Sequence, residues 1–551
     1  MKRIWPACVV LVWTMGMACE AGVVLARVEM GEGSSWAGVP VYALGQDGKK
    51  EIAWVKAEAE ELEASGRTYR ILDEGAEGAD YIVAYEFRKG AREAACGKFN
   101  VVQEEGRRLV IRSAHAAADI EALGNLGFQC RRLPAAPLDF ALAKKRGHAA
   151  PRMAGVASNA MVAAMIGQVV ETNLYVDLSG LTGVVPVMAD GTFTNIATRY
   201  QSSGVPLQRA TALAYDRFEA AGLQAGYQGW TNGSWTGRNV VGTKAGRGAV
   251  SSEIVVVCAH IDDMPSGAVA PGADDNASGC VAVMTAAEIL KNFSSERTIR
   301  FVLFSGEEQG LLGSEKYVQE ASAAGDNIVG ALNLDMIGWD GNLDKVFNMY
   351  VRPAVSNDRV VAAAFTNVVG TYGLTNVVPA IIEERVDWSD HASFWDHGYP
   401  AVCGIEEDVG DFNPYYHTTN DTLERINMSF FTDCARAVVG TMAHLAGPMS
   451  WDDGYEDLGG GWRRLGWFGD YVPMGSEGWI WHNQHGFFYM PRNAVPGDIW
   501  MYANDMGWLW TGQAVYPFIY RANPAAWLWY NGTTNPRWFR NMAESTWESW
   551  P

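Results

Sequence analysis

Pro271-Gly272-Ala273-Asp274-Asp275-Asn276-Ala277-Ser278-Gly279 separates two apolar segments, and its reading decides the fold. The run before it, residues 253–259 (Glu-Ile-Val-Val-Val-Cys-Ala), is continuous and β-branched. That is the pattern of a strand buried on both faces of a parallel sheet. It ends on His260-Ile261-Asp262. The run after it, residues 278–290, carries apolar side chains at helical spacing, with Ser278 expected as the N-cap. Asp274 and Asp275 therefore fall on a strand-to-helix connection, which is where open α/β sheets build their sites.

Two adjacent carboxylates at a sheet edge repel one another unless a helix N-terminus, an arginine or a metal ion stands beside them. Further donors recur at the ends of later strands. A strand over 298–304 ends in Ser305-Gly306-Glu307-Glu308, one over 328–334 ends in Asp335-Met336, and a polar loop after a strand near 400–405 holds His417. Taken singly, the acidic turn reads as a surface turn, the Glu pair as a solvated helix start, and His417 as an ordinary loop histidine. Taken jointly, at successive strand ends of one sheet, they predict a metal site.

The set His260-x-Asp262, Gly272-Ala-Asp-Asp-Asn-x-Ser-Gly279, Gly306-Glu-Glu308, Asn333-Leu-Asp-Met336 and His417-Thr-Thr-x-Asp421 resembles the secreted dizinc aminopeptidases of the bacterial leucyl aminopeptidase type. The resemblance covers about residues 156–446. It implies an α/β, zinc-exopeptidase-like fold: an open, mostly parallel twisted sheet flanked by helices. It implies two Zn2+ held by His260, Asp275, Glu308, Asp335 and His417. Asp275 would bridge, His260 and Asp335 would complete one site, and Glu308 and His417 the other. Glu307 is the implied general base. Nitrogen and oxygen donors without thiolate suit zinc. Such an ion pair lowers the pKa of water from about 15.7 towards about 7. Asp262 is the expected acceptor for the second ring N–H of His260, and Asp421 is given the same role near His417. The implied substrates are peptides with a free N-terminus. Glutaminyl cyclase, dipeptidase or carboxypeptidase chemistry on the same fold, and a non-catalytic surface-binding protein, are the alternatives. The segment Ser389-Asp-His-Ala-Ser-Phe394 matches a family stretch near the substrate pocket and reads equally as a helix cap, so His391 is not counted as a ligand. Residues 383–388 lack the disulfide loop of some relatives, which leaves side-chain preference open.

At 551 residues the chain exceeds a single core. A net charge of −20 argues against nucleic acid and anionic membrane as partners. Lys2 and Arg3 before an apolar run predict a signal peptide over 1–21, too short to span a membrane, and hence a secreted, periplasmic or cell-surface location. Residues 22–146 read as a small propeptide-like α/β domain without catalytic groups. Its strands are expected at 39–43, 81–85, 108–112 and 128–133 and its helices at 51–65 and 114–123. It closes on the basic run Lys144-Lys145-Arg146, either a release point or a permanent linker. Cys96 and Cys130 are a candidate disulfide, while Cys258 and Cys280 read as small buried residues. The peptidase domain is assigned to 150–448. Beyond 450, Trp-Ile-Trp481, Trp-Leu-Trp510 and Trp-Leu-Trp529 recur between turn residues, predicting a β-rich hairpin module over 450–551. Its rings are expected to form the module's own core, with cell-surface or glycan contact as the second reading.

Overall fold

The computed structural model describes residues 22–30, 39–47, 50–134, 136–138, 156–353, 355–475, 478–492, 494 and 496–551. The expected signal peptide and the basic run 144–146 lie outside these residues.

The middle of the chain builds an eight-stranded sheet. In spatial order its strands are Gln224–Asn232, Trp235–Lys244, Thr298–Phe304, Glu253–His260, Asn327–Leu334, Ala401–Glu406, Val346–Val351 and Val378–Glu383. The four strands Thr298–Phe304, Glu253–His260, Asn327–Leu334 and Ala401–Glu406 are mutually parallel. Antiparallel pairs flank them on both sides. The strand Glu253–His260 lies among them, and its side chains divide by the period of two that a strand imposes. Val255, Val257 and Ala259 enter one core with the helices Val205–Ala220, Gly279–Leu290 and Met428–Ala446. Ile254, Val256 and Cys258 enter a second core with Tyr317, Val318, Phe394 and Trp395. Burial on both faces explains the unbroken apolar run of this strand.

The segment ahead of the peptidase sheet folds as two four-stranded antiparallel sheets. Residues Leu25, Ile52, Trp54, Tyr81 and Val83 share the core between them. The helix Ala116–Leu126 packs on the second sheet through Ile120 and Leu123. One expectation is corrected here. Residues 51–58 belong to the strand Lys50–Glu58, and only Ala59–Ala64 is helical. Their Glu, Ala and Lys content favours helix, but Ile52 and Trp54 fill one core while Ala53, Val55 and Ala57 fill another, so packing outweighs propensity. Cys96 and Cys130 are both free: Cys130 points into a core, whereas Cys96 is exposed at the end of a short helix.

The C-terminal segment is an eleven-stranded antiparallel meander running from Glu456–Gly459 to Trp547–Trp550. Its core is made by Phe468, Tyr471, Phe488, Ile499, Leu509, Leu528 and Phe539 among others. The repeated Trp side chains are not that core. In Trp-Leu-Trp510 and Trp-Leu-Trp529 the central Leu is buried and the flanking indoles point to the opposite face, which corrects the expectation that the rings pack inward. Among the described residues no helix is long and apolar enough to cross a membrane.

Candidate metal centre

The four parallel strands all end at one edge of the sheet, and each ending delivers a donor. His260 closes Glu253–His260, Glu307 and Glu308 follow Thr298–Phe304, and Asp335 follows Asn327–Leu334. His417 lies in the loop after Ala401–Glu406, and Asp275 sits at the non-helical kink of the turn Ala273–Ser278 that leads into the next helix.

Asp275 stands between the two histidines. Its Oδ1 is 3.2 Å from His260 Nε2 and its Oδ2 is 3.3 Å from His417 Nε2. His260 Nε2 also lies 3.2 Å from Asp335 Oδ1, and His417 Nε2 lies 2.9 Å from Glu308 Oε2. Donor atoms of His260, Asp275 and Asp335 fall within 4.8 Å of one another, as do those of Asp275, Glu308 and His417, and those of His260, Glu307 and Glu308. All six side chains are buried, Glu307 only 1% exposed.

The hydrogen bonds at the far side of each imidazole fix its tautomer. His260 Nδ1 faces the backbone carbonyl of Asp262 at 3.1 Å, and His417 Nδ1 faces the carbonyl of Gly124 at 2.7 Å. A carbonyl only accepts, so each Nδ1 carries the proton and each Nε2 turns a lone pair towards carboxylate oxygens. Lone pairs facing anions repel unless a cation lies between them or the ring takes up a proton. Burial opposes charging the His417 ring, yet Glu308 and Asp275 outweigh it and push the ring up to about 10. His260 is likewise driven well above the usual histidine range, with burial opposing and Glu307 and Asp335 prevailing. Glu308 Oε1 and Glu307 Oε2 are buried without a hydrogen-bond partner. Unpaired buried carboxylate oxygens beside two aimed lone pairs fit a pair of divalent cations.

The surrounding residues hold this cup in shape. The Asp262 carboxylate does not receive the His260 ring N–H, from which its Oδ1 is 3.9 Å away. Instead it accepts the backbone N–H groups of Glu307 and Glu308, each at 3.3 Å, and it is Asp262's own carbonyl that receives the ring. Asp421 does not reach the His417 ring: its carboxylate accepts the N–H groups of Asp274 and Asp275 at 3.0–3.2 Å. Asp274 is turned away from the donors, accepting from Gly338 N–H at 2.8 Å and Asn413 Nδ2 at 3.0 Å. Burial pushes its pKa up to about 6. Ser278 takes the expected N-cap position of the helix Gly279–Leu290, but its side chain makes no capping hydrogen bond. Its hydroxyl donates to Asp274 O and accepts from Ile337 N–H, tying the acidic turn to the neighbouring strand end. His391 lies between Trp388 and Trp395 with Nε2 donating to Val386 O, and burial pulls its pKa down to about 3.

Three functional neighbours lie outside the sequence-predicted set. Arg199, fully buried, donates to the carbonyls of Leu181, Ile261, Pro271 and Gly272 and pairs with Asp263 at 3.4 Å. Tyr416 stacks on His417 with ring centroids 3.7 Å apart. Gln129, from the N-terminal domain, donates its amide to Glu307 Oε1 and accepts from Tyr416 Oη at 3.1 Å. No local signal in the sequence marks Gln129.

Fold and donor set define the class: an α/β protein of the zinc-exopeptidase type. Residues 239–442 match the family described as Peptidase family M28, and the chain belongs to that family. It is similar to the leucine aminopeptidase 1 of Uncinocarpus reesii, 30% identical over 281 residues, covering 46% of this chain and 67% of that protein. It is also similar to a probable leucine aminopeptidase 1 of Trichophyton verrucosum, 31% identical over 226 residues, 39% of this chain and 59% of that one. The chain thus spans about three fifths of that relative's length. Its fold is similar to that of the LapA aminopeptidase of Legionella pneumophila, with a TM-score of 0.50 at 19% identity over 67% of this chain and 98% of the other.

Proposed function

We propose that the protein is an exported aminopeptidase that hydrolyses the N-terminal peptide bond of peptides, using two zinc ions. The observation that carries this reading is Asp275 presenting one oxygen to each histidine, with one further carboxylate beside each ring. His260, Asp275 and Asp335 would hold one ion, and Asp275, Glu308 and His417 the other. When bound, the ions would polarise the scissile carbonyl and acidify water.

The chain's own residues account for the proton. Glu307 lies beside the ligands with Oε2 unpaired. Burial, reinforced by Asp335 and Glu308 and opposed by His260, raises its pKa well above the usual carboxylate range. As the general base, Glu307 would take a proton from the attacking water and return it to the leaving amine. Asp262 acts as a positioning residue through the Glu307 and Glu308 amides.

The N-terminal domain is read as an inhibitory cover. Gln129 occupies Glu307, and Arg131, 5% exposed, reaches Asp396 and Asp387 of the peptidase domain. Tyr85 adds a hydrogen bond to Asp387, and Arg107 pairs with Asp408 at 3.2 Å. Export through residues 1–21 and release near 144–146 complete the reading. The test incubates N-terminally free and blocked forms of one peptide with the zinc-loaded protein, before and after limited proteolysis, with and without chelator. Release of free N-terminal amino acid from the unblocked peptide alone, abolished by chelator, is expected. Cyclised product or release from the blocked peptide overturns it.

A further inference from the structure

The outward face of the C-terminal sheet has a composition that its fold does not require. On the six strands from Asp498–Ala503 to Trp547–Trp550, the inward side chains include Ile499, Met501, Leu509, Ile519, Leu528 and Phe539, which make the core. The outward side chains are aromatic apart from Asp498, Arg540 and Ser549. None is Leu, Ile or Val. Exposed rings on adjacent strands stand directly opposite one another. Trp500, Trp510, Tyr520 and Trp527 form one row across four strands, and Phe518, Trp529, Arg540 and Trp547 form a second.

These rings are held in place. Trp510 and Trp527 meet edge to face at 5.7 Å, Trp500 and Tyr520 at 6.4 Å, and Trp529 and Trp547 at 6.1 Å. The Trp510 indole N–H donates to Asp498. Trp500, Trp508, Trp527 and Trp547 nevertheless remain 39–50% exposed. A contiguous apolar surface of this kind marks an interaction site. Because the rings are already ordered, little rotamer entropy is left to lose on binding.

Three properties choose the occupant. The ladder repeats at the strand spacing of about 4.8 Å, roughly the length of one sugar unit, so it presents the same contact again and again along a line. The outward face carries one acid and one base, Asp498 and Arg540, and so has no net positive charge with which to hold a polyanion or an anionic lipid surface. The exclusion of aliphatic side chains favours a partner with flat C–H faces and hydroxyl edges over the mixed aliphatic surface of a protein core or an acyl chain. From these we infer that the outward face of residues 498–550 binds a neutral, β-1,4-linked polysaccharide, its pyranose rings stacked along the Trp500–Trp527 row.

The test is co-sedimentation of the full chain with cellulose and with chitin, beside phosphatidylcholine vesicles, and with sedimentation velocity of the protein alone. The variants are Trp510→Ala/Trp527→Ala and Trp510→Tyr/Trp527→Tyr. Both leave the inward Leu and Ile core intact, which near-UV circular dichroism checks. Binding to at least one of the two polysaccharides, insensitive to salt, weakened about tenfold or more by the Ala pair and largely kept by the Tyr pair, is the expected result. Turnover of a soluble peptide should be the same in both variants, since neither touches the metal centre. The inference is overturned by no binding to either polysaccharide, by binding that the Ala pair leaves unchanged, by vesicle binding that the Ala pair abolishes, or by a dimer that it dissociates.

Discussion

Gln129 of the N-terminal domain donates its side-chain amide to Oε1 of Glu307, the carboxylate proposed as general base. The two residues are 178 positions apart. The same domain supplies the Gly124 carbonyl that holds the His417 ring. One domain therefore both orients a proposed ligand and blocks the proposed base. Its anchor is Arg131, buried against Asp396 and Asp387. Arg131→Ala removes the cation and leaves Asp387 without it. Breaking such a buried pair costs ~3–5 kcal/mol. The uncleaved variant should turn over an unblocked peptide at least about tenfold faster than the uncleaved parent, measured as kcat/KM at equal zinc content.

Acid should undock the same domain. Burial raises the Asp396 pKa, but Arg131 and Arg385 outweigh it and hold the carboxyl below its usual range. A depressed folded-state pKa contributes stability above the unfolded value of about 3.9 and loses it as pH falls through the lowered one. After cleavage near residue 144, the two pieces should co-elute at neutral pH and separate below about pH 4 on size-exclusion chromatography.

Glu307 is not among the five proposed ligands, so its loss should separate chemistry from metal binding. Glu307→Gln keeps the shape and removes the base. kcat should fall ~10²–10⁴-fold while zinc content by elemental analysis stays at the parental value.

The two proposed cations can be told apart by their private ligands. His417→Ala removes the ring of one site only, and Asp275→Ala removes the carboxylate both sites share. After dialysis against metal-free buffer, the parent should retain two zinc ions per chain, the His417 variant about one and the Asp275 variant about none, since each ligand supplies a large share of a site's affinity. Zinc should restore chelated parent protein but not the Asp275 variant.

Much of this centre was legible in the sequence, because continuous apolar runs ending in His or acid betray buried parallel strands with donors at one edge. Where tertiary context decides, the reading failed. Residues 51–58 carry helix formers, yet two cores claim alternate side chains and make a strand. The Trp-x-Trp repeats show the converse. Their period of two was visible, but which half faces inward turned on the residues between, where Leu509 and Leu528 fill the core and leave the indoles outside. Gln129 was beyond reach, since nothing local distinguishes a glutamine in a strand from one that will meet Glu307 across two domains. Asp262 and Asp421 were expected to orient the two imidazoles, but their carboxylates accept backbone amides instead, contacts invisible to a reading of side-chain motifs.

Arg199 connects the centre to the stability of the whole domain. Its guanidinium has no solvent exposure, and it makes four hydrogen bonds, to the carbonyls of Leu181, Ile261, Pro271 and Gly272, besides its pairing with Asp263. Asp263, pushed up by burial to about 8 even with Arg199 opposing it, depends on that cation, and its carboxylate in turn accepts the Arg199 backbone N–H at 2.9 and 3.0 Å. Arg199→Ala leaves four buried carbonyls without their donor and removes the cation beside Asp263, which keeps only the backbone N–H of residue 199. The unfolding free energy should fall by ~3–5 kcal/mol, read as a lower urea midpoint at unchanged slope. Arg199→Lys should recover only a minor part, because a point charge with three donors cannot reproduce a planar fork that reaches four carbonyls. Zinc affinity should fall in the same order, since the carbonyls of Pro271 and Gly272 that Arg199 grips lie just ahead of Asp275. A variant that lost stability with zinc affinity intact would place Arg199 in the core alone and detach it from the shape of the turn.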